Sequence, residues 1–114
     1  MSRKNDTVRL RHMLDHAREA VEMARGRSRS ELETDRALNL ALVRLLEIVG
    51  EAAARVSQET RSRHPKIPWQ QIVGLRNRLI HGYDEVDLDI LWNIVSADLQ
   101  PLIDALERMV AEQN

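Results

Sequence analysis

The sequence contains no cysteine and no phenylalanine among its 114 residues. The lack of cysteine excludes disulfides, thiol nucleophiles and thiolate metal sites, and it fits a reducing compartment. Only three aromatic residues are present, namely Trp69, Tyr83 and Trp92. The first segment does not resemble a signal peptide, and no apolar run reaches the roughly 20 residues that a membrane helix needs. We therefore expect a cytoplasmic protein that does not associate with membranes.

An excess of positive charge is also missing. The net charge is −1, which argues against a generally basic nucleic-acid binder. The charges are nevertheless unevenly divided: residues 1–66 carry 14 of the 17 Lys and Arg and 10 of the 18 Asp and Glu, whereas residues 67–114 carry 3 and 8. Fifteen of the 17 cations are arginine, which makes bidentate contacts with phosphate. Codon bias would produce the same excess, so composition leaves both explanations open.

Apolar residues recur every three or four positions along most of the chain, which is the pattern of amphipathic helices. The first stripe covers residues 10–24. Asp6 or Thr7 is placed to cap the start of this helix, and Gly26 is placed to end it.

Two further helices follow the same rules. Ser30 and Glu33 have the spacing of a capping box for a second helix, whose apolar stripe covers residues 38–56. Its apolar surface is wider than one stripe, so we expect it to contact more than one neighbour. A third helix begins with Pro68 in its first turn and should end at Gly82.

A fourth helix, capped by Asp87, carries an apolar stripe to the C-terminal end of the chain. Pro101 lies inside this stripe and should kink the helix or divide it in two. Trp69 and Trp92 lie within apolar stripes, so we expect them in the core rather than as base-stacking platforms. No segment alternates with a period of two. We predict an all-α bundle of four main helices in a single domain, residues 1–114.

The residues that carry chemistry stand together at the end of the third helix: Arg76, Asn77, His81 and Tyr83. Histidine takes and gives protons near neutral pH, and arginine stabilises charge that develops on a phosphate. Without a cage of carboxylates, this pair suits metal-independent cleavage of RNA, in which the 2′-hydroxyl attacks the adjacent phosphorus. The products would be a 2′,3′-cyclic phosphate and a 5′-hydroxyl. A histidine at a helix end also often serves only to cap it.

Helix geometry separates the two candidate catalytic groups. Five residues of an ideal helix rotate by about 500°, which places Arg76 and His81 about 140° apart. Either the helix is distorted near Gly82, or each pair works with its copy across a dimer axis.

The spacing of Arg76, four residues, His81, one residue and Tyr83 resembles the Arg-x4-His-x-Tyr signature of HepT-like toxins in the HEPN superfamily. Asn77 stands at the polar position that often follows the arginine. The resemblance covers most of residues 40–106 and includes residues 50–53, 67–69, 86–92 and 98–102. The predicted all-α bundle agrees with the fold of that superfamily.

This resemblance implies a homodimeric endoribonuclease, the toxin of a type II/VII-like toxin–antitoxin pair, which uses no metal or other cofactor. Arg76 and His81 would be catalytic and Asn77 supporting, with RNA as the substrate. The partner would be an MntA-like nucleotidyltransferase antitoxin, which in such pairs can transfer AMP to the motif tyrosine, here Tyr83. Attached AMP would place phosphate beside His81 and compete with RNA for Arg76.

Two other pairs of residues lie one helical turn apart. His12 and His16 have a spacing that can chelate a metal, but no third ligand follows at a motif spacing, so we expect no metal site. Glu47 and Glu51 lack the Glu-x-x-His motif that accompanies carboxylate metal sites in helix bundles. We interpret Glu51 either as a supporting acid for the catalytic pair or as an ordinary surface residue.

Two alternatives to a ribonuclease stay open on the sequence. The chain could be a non-catalytic HEPN module that docks a nucleotidyltransferase and its nucleotide or substrate. It could also be a structural dimeric bundle in which the motif only caps a helix. The acidic residues 84–89 are unusual beside an RNA site, and they could contact the antitoxin or pair with Arg78.

Overall fold

The computed structural model describes residues 3–83 and 85–113 of the chain, and most of them lie in helices. The elements in chain order are α1 (Arg3–Ala24), α2 (Glu31–Thr34), α3 (Arg36–Ala54), α4 (Gln58–Arg63), α5 (Trp69–Val73), α6 (Leu75–Leu79), β1 (Ile80–His81), β2 (Glu85–Val86), α7 (Leu88–Asn93), a π-helical turn (Ile94–Asp98) and α8 (Leu99–Gln113). The longest helices are α1, α3 and α8, and α1 packs against both of the others. The all-α prediction is confirmed. None of the helices described is long and apolar enough to cross a membrane.

The predicted apolar stripes form the core of the bundle. Their buried members include Leu10, Met13, Leu14, Ala17, Leu38, Leu42, Leu45, Val49, Ala52, Leu91, Val95, Leu99, Ile103 and Leu106. Leu40, an apolar residue of α3 outside the main stripe, is 48% exposed. Trp69 is buried and Trp92 packs half-buried against the core, which confirms their predicted core positions.

The start of α1 differs from its prediction. The helix already includes Arg3, so neither Asp6 nor Thr7 caps it. Asp6 is buried and accepts hydrogen bonds from the backbone N–H of Ser57 at 2.9 Å, from its Oγ at 2.5 Å and from Thr60 Oγ1 at 2.6 Å. Burial raises the pKa of Asp6, but these hydrogen bonds outweigh it and lower the pKa below its ordinary value. Local rules miss this role because the partner is 51 residues away.

The entry to α3 is also capped differently from the prediction. Gly26, with a φ of 73°, follows the end of α1 as predicted. Ser30 has a helical conformation at the start of the short α2, and its side chain forms no cap hydrogen bond. Asp35 is extended instead, and it caps α3 by accepting a hydrogen bond from the Leu38 N–H at 3.0 Å. The capping box of Ser30 and Glu33 is therefore wrong, because a separate short helix precedes the main one.

The segment between α3 and α6 is more helical and more divided than predicted. A short helix, α4, is capped by Ser57. Pro68 stands at the N-cap of α5 rather than inside its first turn. The predicted third helix is divided at Gly74, which ends α5 and begins α6. Trp69 anchors α5, because its Nε1 donates to the His64 carbonyl at 3.0 Å.

The motif helix ends earlier than predicted. Helix α6 stops at Leu79, and Ile80 is extended, with a φ of −108° and a ψ of 120°. Ile80 and His81 form β1, which pairs antiparallel with β2. Gly82 lies in the turn between them with a φ of 69°. His81 is therefore on a strand, and a strand of two residues is too short to show an alternating pattern.

The last predicted helix is divided, as expected from Pro101. Asp87 caps α7, as predicted, by accepting a hydrogen bond from the Ile90 N–H at 3.0 Å. The irregular turn Ile94–Asp98 lies before Pro101 rather than at it. Proline offers no N–H to the preceding turn, and its ring crowds the carbonyl there. A wider π turn accommodates both effects.

Candidate functional site

Helix α6 fixes the directions of the motif residues. Leu75 and Leu79 are buried, 3% and 0% exposed, so one face of this short helix is anchored in the core. Arg76, Asn77 and Arg78 therefore lie on its outer surface. At about 100° per residue, Arg76 and Arg78 flank the helix on opposite sides, with Asn77 between them.

Arg76 is held against α3 by a carboxylate. Its Nε donates a hydrogen bond to Glu47 Oε2 at 3.1 Å, with 68% of the Arg76 side chain and 21% of the Glu47 side chain exposed. Arg76 and Asn77 line a shallow depression of about 260 Å³ together with Glu51 and Val73. A guanidinium has five N–H donors, so Arg76 retains donors for a phosphate.

Gly50 allows α5 and α3 to meet beside this depression. A Cβ atom at Gly50 would lie 2.8 Å from the carbonyl oxygen of Ile72, which is closer than two such atoms can pack. Gly50 is therefore required by the close approach of the two helices. Glu47 lies one turn before Gly50 on α3. The close approach of α3 and α5 therefore sets the distance between Arg76 and the Glu47 carboxylate.

Glu51 lines the depression but has a different ion-pair partner. Its Oε2 lies 3.4 Å from Arg44 Nη1, and both side chains are well exposed. Among the described residues, the acid that pairs with Arg76 is Glu47, one turn before Glu51. Sequence reasoning considered Glu47 only as a metal ligand and so missed this role. Glu51 as a supporting residue stays a prediction.

His81 faces the carboxylate of Asp87. The His81 side chain is 55% exposed, and its Nε2 lies 3.5 Å from Asp87 Oδ2. The other oxygen of Asp87 accepts the capping hydrogen bond from Ile90. This capping bond, and after it the interaction with His81, hold the pKa of Asp87 below its ordinary value. Asp87 is thus ionised at neutral pH and fixed in place. It can therefore orient the imidazole through Nε2, which leaves Nδ1 on the edge of the ring that points away from Asp87.

Sequence reasoning assigned Asp87 only as a helix cap. The signal for its second role lies in the turn, since Gly82 allows the chain to reverse directly after His81. Strand β2 then returns beside β1, and the Asp87 N–H donates to the Leu79 carbonyl at 2.8 Å. The reversal places the residue after Val86 next to the histidine.

Tyr83 lies in the turn between β1 and β2 and is 98% exposed. Its phenol is therefore open to a modifying enzyme. The position also puts it two residues after His81, so a group attached to Tyr83 would be carried by the same hairpin as the imidazole.

The acidic residues after the motif do not act as one surface. Asp84 lies outside the described residues. Asp87 faces the motif histidine, and Asp89 pairs with Arg29 at 2.6 Å. Arg78 forms no ion pair within residues 3–83 and 85–113.

Arg76 and His81 are held by carboxylates on two different elements. Arg76 is paired with Glu47 of α3, whereas His81 is paired with Asp87 at the start of α7. No hydrogen bond joins the two motif residues in the part of the chain that is described. The 140° separation of an ideal helix does not apply, because the chain becomes extended at Ile80. An RNA phosphate between guanidinium and imidazole would meet one fixed positive charge and one proton carrier.

The two histidines of α1 contact each other. His16 Nδ1 lies 2.6 Å from the carbonyl oxygen of His12, and their rings meet edge to face with centroids 6.5 Å apart. Over the described ranges, no three His, Asp or Glu side chains come together in a group that could hold a metal ion.

An all-α bundle that carries this Arg–His pair beside an exposed tyrosine is a domain of the HEPN type. The sequence profile described as "Ribonuclease HepT-like" matches residues 13–109. The chain therefore belongs to the HepT-like ribonuclease family.

Relatives of this chain carry names of the same kind. "Putative RNase MJ1380" of Methanocaldococcus jannaschii is 34% identical over 87% of this chain and 91% of its own length. "Putative RNase TTE0752" of Caldanaerobacter subterraneus subsp. tengcongensis is 37% identical over 90% and 88%. "Probable ribonuclease HepT" of Thermococcus cleftensis is 32% identical over 84% and 91%. No solved structure matches the chain. The family and these names support ribonuclease activity on RNA.

Proposed function

We propose that this protein is a homodimeric endoribonuclease toxin of the cytoplasm, which cleaves RNA without a metal ion. An MntA-like nucleotidyltransferase antitoxin neutralises it. The observation that carries the proposal is the exposed Arg–His pair with a carboxylate behind each member: Glu47 for Arg76 and Asp87 for His81. Membership of the HepT-like ribonuclease family supports RNA as the substrate.

The reaction follows from the chemistry of these side chains. His81 takes the proton of the RNA 2′-hydroxyl, and the freed oxygen attacks the adjacent phosphorus. The bond to the 5′ oxygen breaks, and that oxygen leaves with a proton, which gives a 2′,3′-cyclic phosphate and a 5′-hydroxyl. Arg76 donates to the non-bridging oxygens and stabilises the added negative charge. Asn77, exposed on the same helix, supports the substrate by hydrogen bonding.

A dimer supplies the second proton transfer. Two copies of the motif across a twofold axis would place two imidazoles and two guanidiniums in one cleft. One histidine then removes the 2′ proton while the partner's His81 protonates the leaving oxygen. Within one chain, Arg76 and His81 are held by different carboxylates, Glu47 and Asp87, and this separation favours such a shared cleft.

The direct test is cleavage of RNA by the purified protein in excess chelator, with the product ends identified by mass. We expect cyclic phosphate and 5′-hydroxyl ends. His81→Ala should lower kcat by about 10²–10⁴-fold, the usual contribution of a general acid or base, and Arg76→Ala should be comparably damaging.

Matched controls are His12→Ala and Arg36→Ala, which remove exposed side chains of the same types away from the motif. Both should leave cleavage unchanged. A requirement for a divalent metal, or full activity of His81→Ala, would contradict the mechanism. Tight binding of the nucleotidyltransferase without any cleavage of RNA would instead identify a non-catalytic binding module.

The exposure of Tyr83 supports regulation by AMPylation. On co-expression with the nucleotidyltransferase and ATP, intact mass spectrometry should show additions in steps of one AMP, together with loss of RNA cleavage. Tyr83→Phe removes only the acceptor oxygen, so it should abolish the additions. Additions that persist in Tyr83→Phe would exclude Tyr83 as the acceptor.

A further inference from the structure

A second cationic surface lies on the other side of the motif helix from Arg76. A groove of about 420 Å³ runs between the α5–α6 segment and α8, and Arg78 is one of its lining residues. Lys66, just before α5, and Arg108 of α8 also line it. The turn before α5, the motif helix α6 and the more distant α8 thus contribute one cation each to a single groove.

The three cations of this groove are not neutralised by a carboxylate among the described residues. None of Lys66, Arg78 and Arg108 forms an ion pair with any residue that the structure describes. Most arginines elsewhere are neutralised, for example Arg27 by Glu31 at 2.5 Å and Arg63 by Glu59 at 2.5 Å. These three unpaired cations give the groove a local excess of positive charge, although the chain as a whole has a net charge of −1.

The groove has one acidic lining residue and no aromatic one. The acidic residue is Asp98, whose carboxylate accepts a hydrogen bond from Asn93 Nδ2 at 3.3 Å. The floor is aliphatic, formed by residues such as Ile67, Leu99 and Leu102. Aromatic side chains are the usual platforms on which bases stack, and this groove has none, so its cations are suited to phosphates rather than to reading bases.

The groove continues away from the motif. A neighbouring cavity of about 270 Å³ shares Lys66 and Arg108 with it and adds His64 and Arg63. Glu112 lines this second cavity and lies 3.9 Å from His64. Arg63 is neutralised by Glu59, so the unpaired positive charge stays with Lys66, Arg78 and Arg108 of the first groove.

The groove is connected to the Arg–His motif through α6. Arg76 and Arg78 flank this helix on opposite sides, and exposed Asn77 lies between them. An α-helix with side chains is about 10–12 Å across, so one or two nucleotides can cross it over Asn77. A strand bound at Arg76 would then enter the groove at Arg78.

We propose that the groove lined by Lys66, Arg78 and Arg108 is a second RNA-binding site. It holds the backbone of single-stranded RNA on one side of the cleaved phosphate, through its phosphates and independently of base sequence. This inference rests on the proposed ribonuclease function.

Its test measures RNA binding as a function of salt. The probe is an uncleavable single-stranded RNA of about 12 nucleotides with 2′-O-methyl groups, bound in solution and followed by fluorescence anisotropy. Counterion release gives a slope of log K against log salt of about −0.7 per phosphate contact on single strands, so Lys66→Gln/Arg108→Gln should reduce the slope by about 1.4. Arg78→Gln should reduce it by about 0.7. The loss should be the same for oligo-U and oligo-A.

Arg36→Gln is the matched control, because Arg36 is exposed and lies outside the groove; it should not change the slope. Circular dichroism melting of each variant verifies its fold. Cleavage of a dinucleotide, too short to reach the groove, should be unchanged in Lys66→Gln/Arg108→Gln, while cleavage of the long RNA becomes less efficient at equal substrate concentration.

An unchanged salt slope in a folded double variant would overturn the second site. Unchanged RNA binding with weakened binding of the nucleotidyltransferase would also overturn it and assign the groove to protein docking. The binding measurement uses an uncleavable probe, so it tests the second RNA-binding site even if the protein does not cleave the dinucleotide. Failure of the ribonuclease function is therefore distinguishable from failure of the groove.

Discussion

Single residues at this site serve the fold and the chemistry together, and Asp87 shows how. One oxygen caps α7 through Ile90 and the other faces His81. The cap restricts the carboxylate to one orientation, so the imidazole meets a fixed partner rather than a mobile one. A fixed partner lowers the entropy that the ring must lose when substrate binds.

Asp87→Asn should separate these two roles. Asparagine is as good an N-cap as aspartate, so the melting temperature should change little. The neutral amide no longer stabilises the imidazolium that forms when His81 takes the proton, so kcat should fall by about 10-fold or more. The measurement is kcat for RNA cleavage, beside the melting temperature.

Asp35→Asn is the matched control, because Asp35 caps α3 in the same way and lies away from the motif. Its kcat should equal that of the unsubstituted protein. If Asp87→Asn left kcat unchanged, Asp87 would be a cap alone. A carboxylate with a lowered pKa supports the fold above its ordinary pKa and loses this effect as the pH falls through the lowered value, so kcat is measured above about pH 5.

At the scale of elements, the long helices follow from the sequence and the short ones do not. The stripes of α1, α3 and α8 repeat over several turns, and each repeat adds to the pattern. Helix α6 has five residues and β1 has two, too few for any period to appear. Their limits depend on packing against α3 and on pairing with β2, which are tertiary contacts.

Gly50→Ala tests the element contact that positions α6. Alanine favours a helix by about 1 kcal/mol over glycine, but its Cβ would meet the Ile72 carbonyl at 2.8 Å, and overpacking costs about 1–3 kcal/mol. We expect a lower free energy of unfolding in urea and slower RNA cleavage, since α5 and α6 must shift away from Glu47.

Gly74→Ala is the control for this substitution. A Cβ there would lie 3.3 Å from the Gln70 carbonyl, and its φ of −87° suits any residue. It should therefore cost less stability than Gly50→Ala. Equal losses at both positions would show that the close approach at Gly50 is not what requires glycine.

At the scale of the whole molecule, ion pairs neutralise much of the arginine excess of the N-terminal half. Arg18 pairs with Glu107 of α8, and Arg29 pairs with Glu33 and Asp89. Much of the basic half is thus neutralised by acids, some of them from the acidic half. Three cations that form no ion pair among the described residues, Lys66, Arg78 and Arg108, line one groove beside α6, which the charge count along the chain does not reveal.

A shared cleft makes a prediction about mixed dimers. Because one cleavage uses His81 of both protomers, a dimer with one His81→Ala subunit should be inactive. When equal amounts of the unsubstituted protein and His81→Ala exchange subunits, only about a quarter of the dimers are unsubstituted, so the activity should fall to about half of its value before exchange. The measurement is the initial rate of RNA cleavage, with exchange followed by native mass spectrometry.

Exchange with Arg36→Ala, which keeps both histidines, should leave the activity unchanged. Exchange with His81→Ala that causes no loss of activity would contradict the shared cleft and place Arg76 and His81 of one chain in one site.

The sequence by itself determined the all-α class, the buried stripes, the cap at Asp87 and the family to which the Arg–His motif belongs. These depend on periods and motifs that a few neighbouring residues define. Only the tertiary structure decided that Glu47 holds Arg76, 29 residues away, and that a two-residue strand returns Asp87 to His81. A side chain's partner depends on where two elements meet, and that meeting depends on core packing over the whole bundle.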